Sequence, residues 1–175
     1  MQDEVLHPDN DGITHLNFYT RARTSLGRLG SNLADTPIRH PVHGSFRTLE
    51  GLWYFLRTGM KDDIFRAVSG YDAKKIGKSM EKVWNAQFNR EFKLGILAKV
   101  EQHPDIRYML LRSHLPLVHY YFFGKVGGPL KIVKPQSHEW QMKYWTEVRE
   151  AMQAGKSFKT LQQQLLLTLG LHHDN

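Results

Sequence analysis

The 175-residue chain is long enough to bury one substantial core, and a second domain is not expected. Its 41% apolar, 11% aromatic and 23% charged residues exclude a disordered chain. The absence of cysteine excludes disulfides, thiolate catalysis and cysteine-ligated zinc, while a formal net charge of +7 suits polyanions or pyrophosphates as well as it suits a plain solvated surface.

Residues 1–12 are polar and Asp-rich, end in Asn10-Asp11-Gly12, and predict a loose, flexible lead-in without the basic region and apolar run of a signal peptide. A cytoplasmic location is therefore the expectation. Ile13 to Tyr19 predicts a strand, and Arg21 to Ser31, with Gly27, Gly30 and three arginines, predicts a loop. Around His43-Gly44, the segments Pro37-Ile38-Arg39 and Ser45-Phe46-Arg47 predict a hairpin. From Thr48 the period becomes helical: Leu49, Leu52, Trp53 and Leu56 share a face, Thr48 can cap the start and Gly59 can end it. Short helical stretches follow at Asp63 to Val68 and Asp72 to Gly77.

The longest helix is predicted from about Met80 to Gln102, with Met80, Val83, Trp84, Phe88, Phe92, Ile96 and Val100 inward, stopping before His103-Pro104. Asp105 can cap the next helix, which buries Ile106, Met109 and Leu110. Leu117 to Phe123 reads as one buried strand, followed by a loop from Gly124 to Pro135. Ser137 is expected to cap a helix bearing Trp145, Val148 and Met152, and Phe158 to Leu169 forms a last helix ending at Gly170. No stretch is long and apolar enough to span a bilayer, so no membrane partner is expected. The fold class is α+β, a predominantly helical single domain with a few short strands around the long central helix.

Several signals are weak. Gly27-Arg28-Leu29-Gly30 lacks the spacing of either standard phosphate loop, and the histidine pairs at 40 and 43, 114 and 119, and 172 and 173 have no acidic partner at a zinc spacing. Neither a metal nor a cofactor is expected. Glu50 is flanked by residues that belong in a core, and reads either as dipole chemistry at a helix start or as a functional carboxylate. The four tryptophans, at positions 53, 84, 140 and 145, read as core or as a stacking platform.

The ordered set of segments resembles the YbiA-like family, also called NADAR. Phe18-Tyr19, Ser31-Asn32-Leu33-Ala34, Thr48-Leu49-Glu50 and Ala73-Lys74-Lys75-Ile76-Gly77-Lys78 match its successive elements. Trp84, then Leu97-Ala98-Lys99-Val100 and Glu101-Gln102-His103, fall at its spacing, and Arg107 with Leu110-Leu111 continue it. The match covers about three quarters of the chain. It places the family domain at residues 13–154 and leaves residues 155–175 as an extra C-terminal helix, for dimerisation or for packing back on its own domain. The family's two acids after the Leu-Leu helix are missing from Leu117 to Gly124, where only an aromatic-aromatic-Gly ending survives, so the chain resembles a divergent branch.

The resemblance implies an N-glycosidase: one that removes ADP-ribose from modified guanine in nucleic acid or nucleotides or, alternatively, hydrolyses ribosylaminopyrimidine intermediates of riboflavin synthesis. A non-catalytic binder of ADP-ribose or a related nucleotide, and a DNA-binding accessory protein, are the competing classes. Asn32, Glu50 and Trp84 are the residues carried over from the family. In this scheme Glu50, kept ionised by the helix N-terminus, stabilises the ribosyl cation or activates water, and His119, standing where the family has an acid, protonates the leaving base. Asn32 holds a ribose hydroxyl, Trp84 and Phe123 stack on the base, and Arg28 or Lys125 meets a pyrophosphate.

Overall fold

The structure, a computed structural model, describes residues 6–124 and 128–170. Its centre is the helix α5 (Phe88–Gln102), which is buried around most of its circumference: Phe92, Leu94, Ile96, Leu97 and Val100 all lie in the core. Around it pack α2 (Leu49–Arg57), α6 (Pro104–Arg112), α7 (Glu139–Gln153), α8 (Phe158–Thr168) and the strand β2 (Ile38–His40). Gly95 permits a close approach of α2, since a methyl group there would collide with Leu52.

The hairpin forms as its sequence suggests: β2 pairs antiparallel with β3 (Gly44–Phe46), Ile38 opposite Phe46, and Gly44 turns the chain at φ +78°. The start of α2 also follows the sequence, because Thr48 Oγ1 accepts from Gly51 N at 3.0 Å. Gly59 takes the left-handed conformation just past its end. Next come α3 (Ile64–Ala67) and α4 (Gly70–Ser79), and α4 lies along α2. The fold is α+β, mostly helical, and its strands form three two-stranded sheets among the described residues.

Several elements differ from the sequence reading: the strand expected from Ile13 to Tyr19 is reduced to Leu16–Asn17, and the expected loop from Gly124 to Pro135 contains the strand Lys131–Val133. The Arg21–Ser31 segment is not a loop but carries α1 (Ser25–Gly30), capped by Thr24 Oγ1 on Gly27 N. Its glycines serve close approach rather than turning: added methyl groups would strike the Asn17 carbonyl at Gly27 and the Phe18 ring at Gly30. The long helix starts eight residues later than periodicity suggests. Asn85 Oδ1 accepts from Gln87 N at 2.8 Å, a local turn that competes with the helix, and leaves Val83 and Trp84 49% and 85% exposed instead of inward.

The expected strand from Leu117 to Phe123 is two strands. Leu117–Val118 (β4) pairs parallel with Leu16–Asn17 (β1), whereas Tyr121–Phe123 (β5) pairs antiparallel with Lys131–Val133 (β6). Finally, the described part of the N-terminal lead-in is tied down. Pro8–Asn10 forms a 3-10 turn, and buried Asp11 accepts from the backbone N–H groups of Asn17 and Arg23 at 2.9 and 2.7 Å. Two expected caps also differ: α6 starts at Pro104, and Ser137 sits in a 3-10 turn ahead of α7. The last helix, α8, packs against α5, capped by Ser157. No described helix is long and apolar enough to cross a membrane.

Candidate functional site

A cavity of about 300 Å³ opens where α1, α2, α4 and α7 meet the break between β4 and β5. Glu50 enters it from the first turn of α2. The turn is pressed into place because Gly51 packs on the Phe65 carbonyl, leaving no room for a side chain. Glu50 is 9% exposed, and among the described residues no hydrogen-bond donor meets its carboxylate. Burial pushes its pKa up to about 7, against the opposing pull of Lys74 and Lys78. Burial without a donor to replace the lost water thus acts against the low value expected from the helix N-terminus.

Lys74 and Lys78 lie one turn apart on α4 and both line the cavity. Ala73 and Gly77, on the same helix, are buried; a methyl group at Gly77 would overlap the Tyr54 ring, so the small residue brings α4 against α2. Lys74 Nζ stands 5.3 Å above the Tyr121 ring. Burial and the nearby Glu50 raise the Tyr121 hydroxyl to about 12, which keeps it protonated.

The opposite wall depends on Asn17. Its side chain donates to the Tyr120 carbonyl and accepts from the Tyr120 N–H, both at 3.1 Å, and so replaces a ladder where the strand breaks. His119 and Tyr121, on either side of Tyr120, then reach the cavity. His119 Nδ1 donates to the Phe18 carbonyl at 2.7 Å, which leaves Nε2 as the lone-pair nitrogen of the neutral ring. Burial, outweighing that bond, together with Lys74, lowers the His119 pKa below its ordinary value. His138 lies 5.2 Å from His119 and stacks at 5.4 Å on Trp53; burial, His119 and Lys74 take it down to about 4. Both rings are neutral at neutral pH.

The third wall is the strip Ser31–Asn32. Lys99 is fully buried on α5 and its Nζ donates to the Ser31 carbonyl at 2.9 Å, with burial lowering its pKa to about 7. The Asn32 carbonyl accepts from Glu50 N at 2.8 Å, and Asn32 Nδ2 donates to Gln141 Oε1 at 3.0 Å.

Of the residues singled out in the sequence, the structure brings Glu50, His119 and Asn32 to this one cavity. Arg28 lies on the exposed face of α1, bonded to the Ala22 and Arg23 carbonyls and to Ser25. Trp84 lies beside a separate depression shared with Arg57 and Lys82, and Phe123 is 56% exposed past the point where β5 leaves the cavity. Lys125 lies outside the described residues. Sequence reasoning missed Trp53, Lys74, Lys78, Tyr121, His138 and Gln141 as cavity residues. The i, i+4 spacing of Lys74 and Lys78 beside Ala73 and Gly77 was a usable signal, since small residues mark the packed face of a helix and place its neighbours at the rim. Among the described residues no group of three His, Asp or Glu side chains converges as a metal site.

No family model matches the chain, and no curated protein matches it. Among solved structures, the NMR structure of the E. coli protein YbiA is similar over 97% of this chain and 99% of its own, with a TM-score of 0.56 and 20% sequence identity. A likeness of that extent at that identity speaks to architecture, and the chain has a YbiA-like fold.

Proposed function

We propose that the cavity is the active site of an N-glycosidase that hydrolyses a ribose–base bond, with ADP-ribose carried on guanine as the substrate. The observation that carries this reading is Glu50: a buried carboxyl group, raised to about 7 and without a hydrogen-bond donor among the described residues, in a cavity walled by aromatic rings, imidazoles and two lysines. The motif resemblance to the N-glycosidase family supports the reaction class. The cavity suits the ribosyl–base part of such a substrate. A second depression of about 290 Å³ shares His119, His138 and Met142 with it and extends toward Lys134 and Lys143, giving room for the remainder.

Cleavage breaks the C1′–N bond, delivers a proton to the leaving base, builds an oxocarbenium-like sugar, and bonds a water oxygen to C1′ while that water loses a proton. Burial disfavours both ionised Glu50, whose pKa is about 7, and a His119 imidazolium, so acid His119 acting with ionised Glu50 is the pairing that the cavity opposes. The opposite pairing, protonated Glu50 and neutral His119, is the one that burial favours for both groups. The reading that fits the charges therefore exchanges the roles expected from sequence. Glu50 gives its proton to the base, and the carboxylate so formed stabilises the sugar cation. His119 Nε2, oriented by the bond from Nδ1 to Phe18, accepts the water proton. An anionic substrate near Lys74 and Lys78 offsets their pull on Glu50 and favours its protonated form.

Incubating the protein with an oligonucleotide bearing ADP-ribosylated guanine and, separately, with a ribosylaminopyrimidine phosphate tests this by mass spectrometry. Release of ADP-ribose with regeneration of guanine is the expected result. Retention of bound but intact substrate would instead mark a binding protein, and release from the pyrimidine substrate alone would move the assignment to riboflavin intermediates.

A further inference from the structure

Gln141, at the start of α7, is 1% exposed and yet lines the cavity. Its Oε1 accepts from Asn32 Nδ2, while its Nε2 is buried without a hydrogen-bond partner among the described residues. Buried donors are almost always paired in folded proteins, so an orphan amide on a residue that lines a cavity calls for an acceptor, an ordered water or a bound ligand. The same contact that occupies Asn32 Nδ2 leaves Asn32 Oδ1 without a bond among the described residues. One donor and one acceptor, on two amides joined by that bond, are thus left over among the described residues.

We propose that Gln141 is a ligand-binding residue, and that the Gln141–Asn32 amide pair recognises the vicinal hydroxyls of a ribose, Gln141 Nε2 donating to one hydroxyl and Asn32 Oδ1 accepting from the other. This rests on the N-glycosidase reading of the Glu50 cavity. A ribose is favoured over a base edge because the Asn32 carbonyl is bonded to Glu50 N, so a sugar held by the pair lies against the first turn of α2 beside the carboxyl that must meet its C1′. The pair itself is held rigidly, since Lys99 fixes the preceding Ser31 carbonyl from the core side. Rigid support is what hydroxyl discrimination requires.

The test uses the full chain and two probes, ADP-ribose and its analogue lacking the 2-hydroxyl of the terminal ribose, with affinities measured by calorimetry. The native protein is expected to bind ADP-ribose about five- to tenfold more tightly than the deoxy analogue. Gln141→Glu keeps an acceptor for Asn32 Nδ2 but removes the Nε2 donor. Its added charge weakens both probes alike, and the ratio between them is expected to fall to about twofold or less. Gln141→Met removes both functions without burying a charge and supplies the same ratio if the Glu variant fails to fold. A native-like ratio in either variant overturns the proposal, as does a native protein that binds both probes equally well. Failure of the native protein to bind ADP-ribose at all overturns the ADP-ribose substrate assignment together with it.

Discussion

Glu50 is where residue-scale chemistry and stability oppose each other. Its pKa rises from 4.5 to about 7 on folding, so the native state holds more protons than the unfolded chain between those values. Stability contributed by the protonated form is present below pH 4.5 and is lost as pH rises through 7. At about 1.4 kcal/mol per unit the loss reaches roughly 3 kcal/mol. Glu50→Gln is accordingly expected to raise the melting temperature at pH 8, to leave it nearly unchanged at pH 4, and to cut turnover by about 10²- to 10⁴-fold. Calorimetry at the two pH values with a single-turnover assay checks both halves; near-normal turnover would remove Glu50 from the mechanism. Lys99 has the opposite sign, its pKa falling from 10.5 to about 7, so native stability rises as pH climbs between those values. Lys99→Met is expected to shift the urea midpoint upward at pH 6, with the gain shrinking by pH 9.5; a pH-independent shift would mean that burial does not discharge this amine. The importance of Glu50 was legible in its apolar flanks and its motif. Its charge state was not, because a helix start announces a dipole whereas dehydration depends on walls contributed by residues far along the chain.

At the scale of elements, the contact between α2 and α4 sets the cavity, since it carries Glu50 and Tyr54 on one side and Lys74 and Lys78 on the other. Gly77→Ala places a methyl group inside the Tyr54 ring. It is expected to cost about 1–3 kcal/mol in urea unfolding and to lower activity through displacement of α4. An unchanged midpoint would show that Tyr54 can step aside. The hairpin and α2 were legible because turn chemistry, a capping threonine and a one-faced apolar period all agree. α1 was not, since its glycines signal a loop in sequence and become close-packing surfaces only once Phe18 and Asn17 lie beneath them. Likewise the apolar run from Leu117 to Phe123 gives no sign of its break. That break depends on the Asn17 carboxamide, 103 residues away from Tyr120.

For the whole molecule, the net charge of +7 is the property that bears on an anionic substrate. If the basic surface engages the strand around a modified guanine, affinity for an oligonucleotide substrate falls steeply between low and moderate salt, whereas cleavage of a mononucleotide changes little. Equal salt sensitivity for the two would detach the charge from function. The overall class, mostly helical α+β around one long helix, was readable from the periodicities, because a central helix must be apolar on several faces. The meeting of Asn32, Glu50 and His119 in one cavity was readable only through the order of motifs, since spacing along a chain carries no angle between helices. The parallel pairing of Leu16–Asn17 with Leu117–Val118 adds a kinetic dimension. Two residues a side cannot pair until nearly the whole intervening chain has been ordered, because a loop of that length must be closed before the contact returns any free energy. The helices and the hairpin, whose contacts are local, can form earlier. The His119 wall therefore hangs on a contact of high sequence separation, with a loop-closure cost that the local contacts of the helices and the hairpin do not carry.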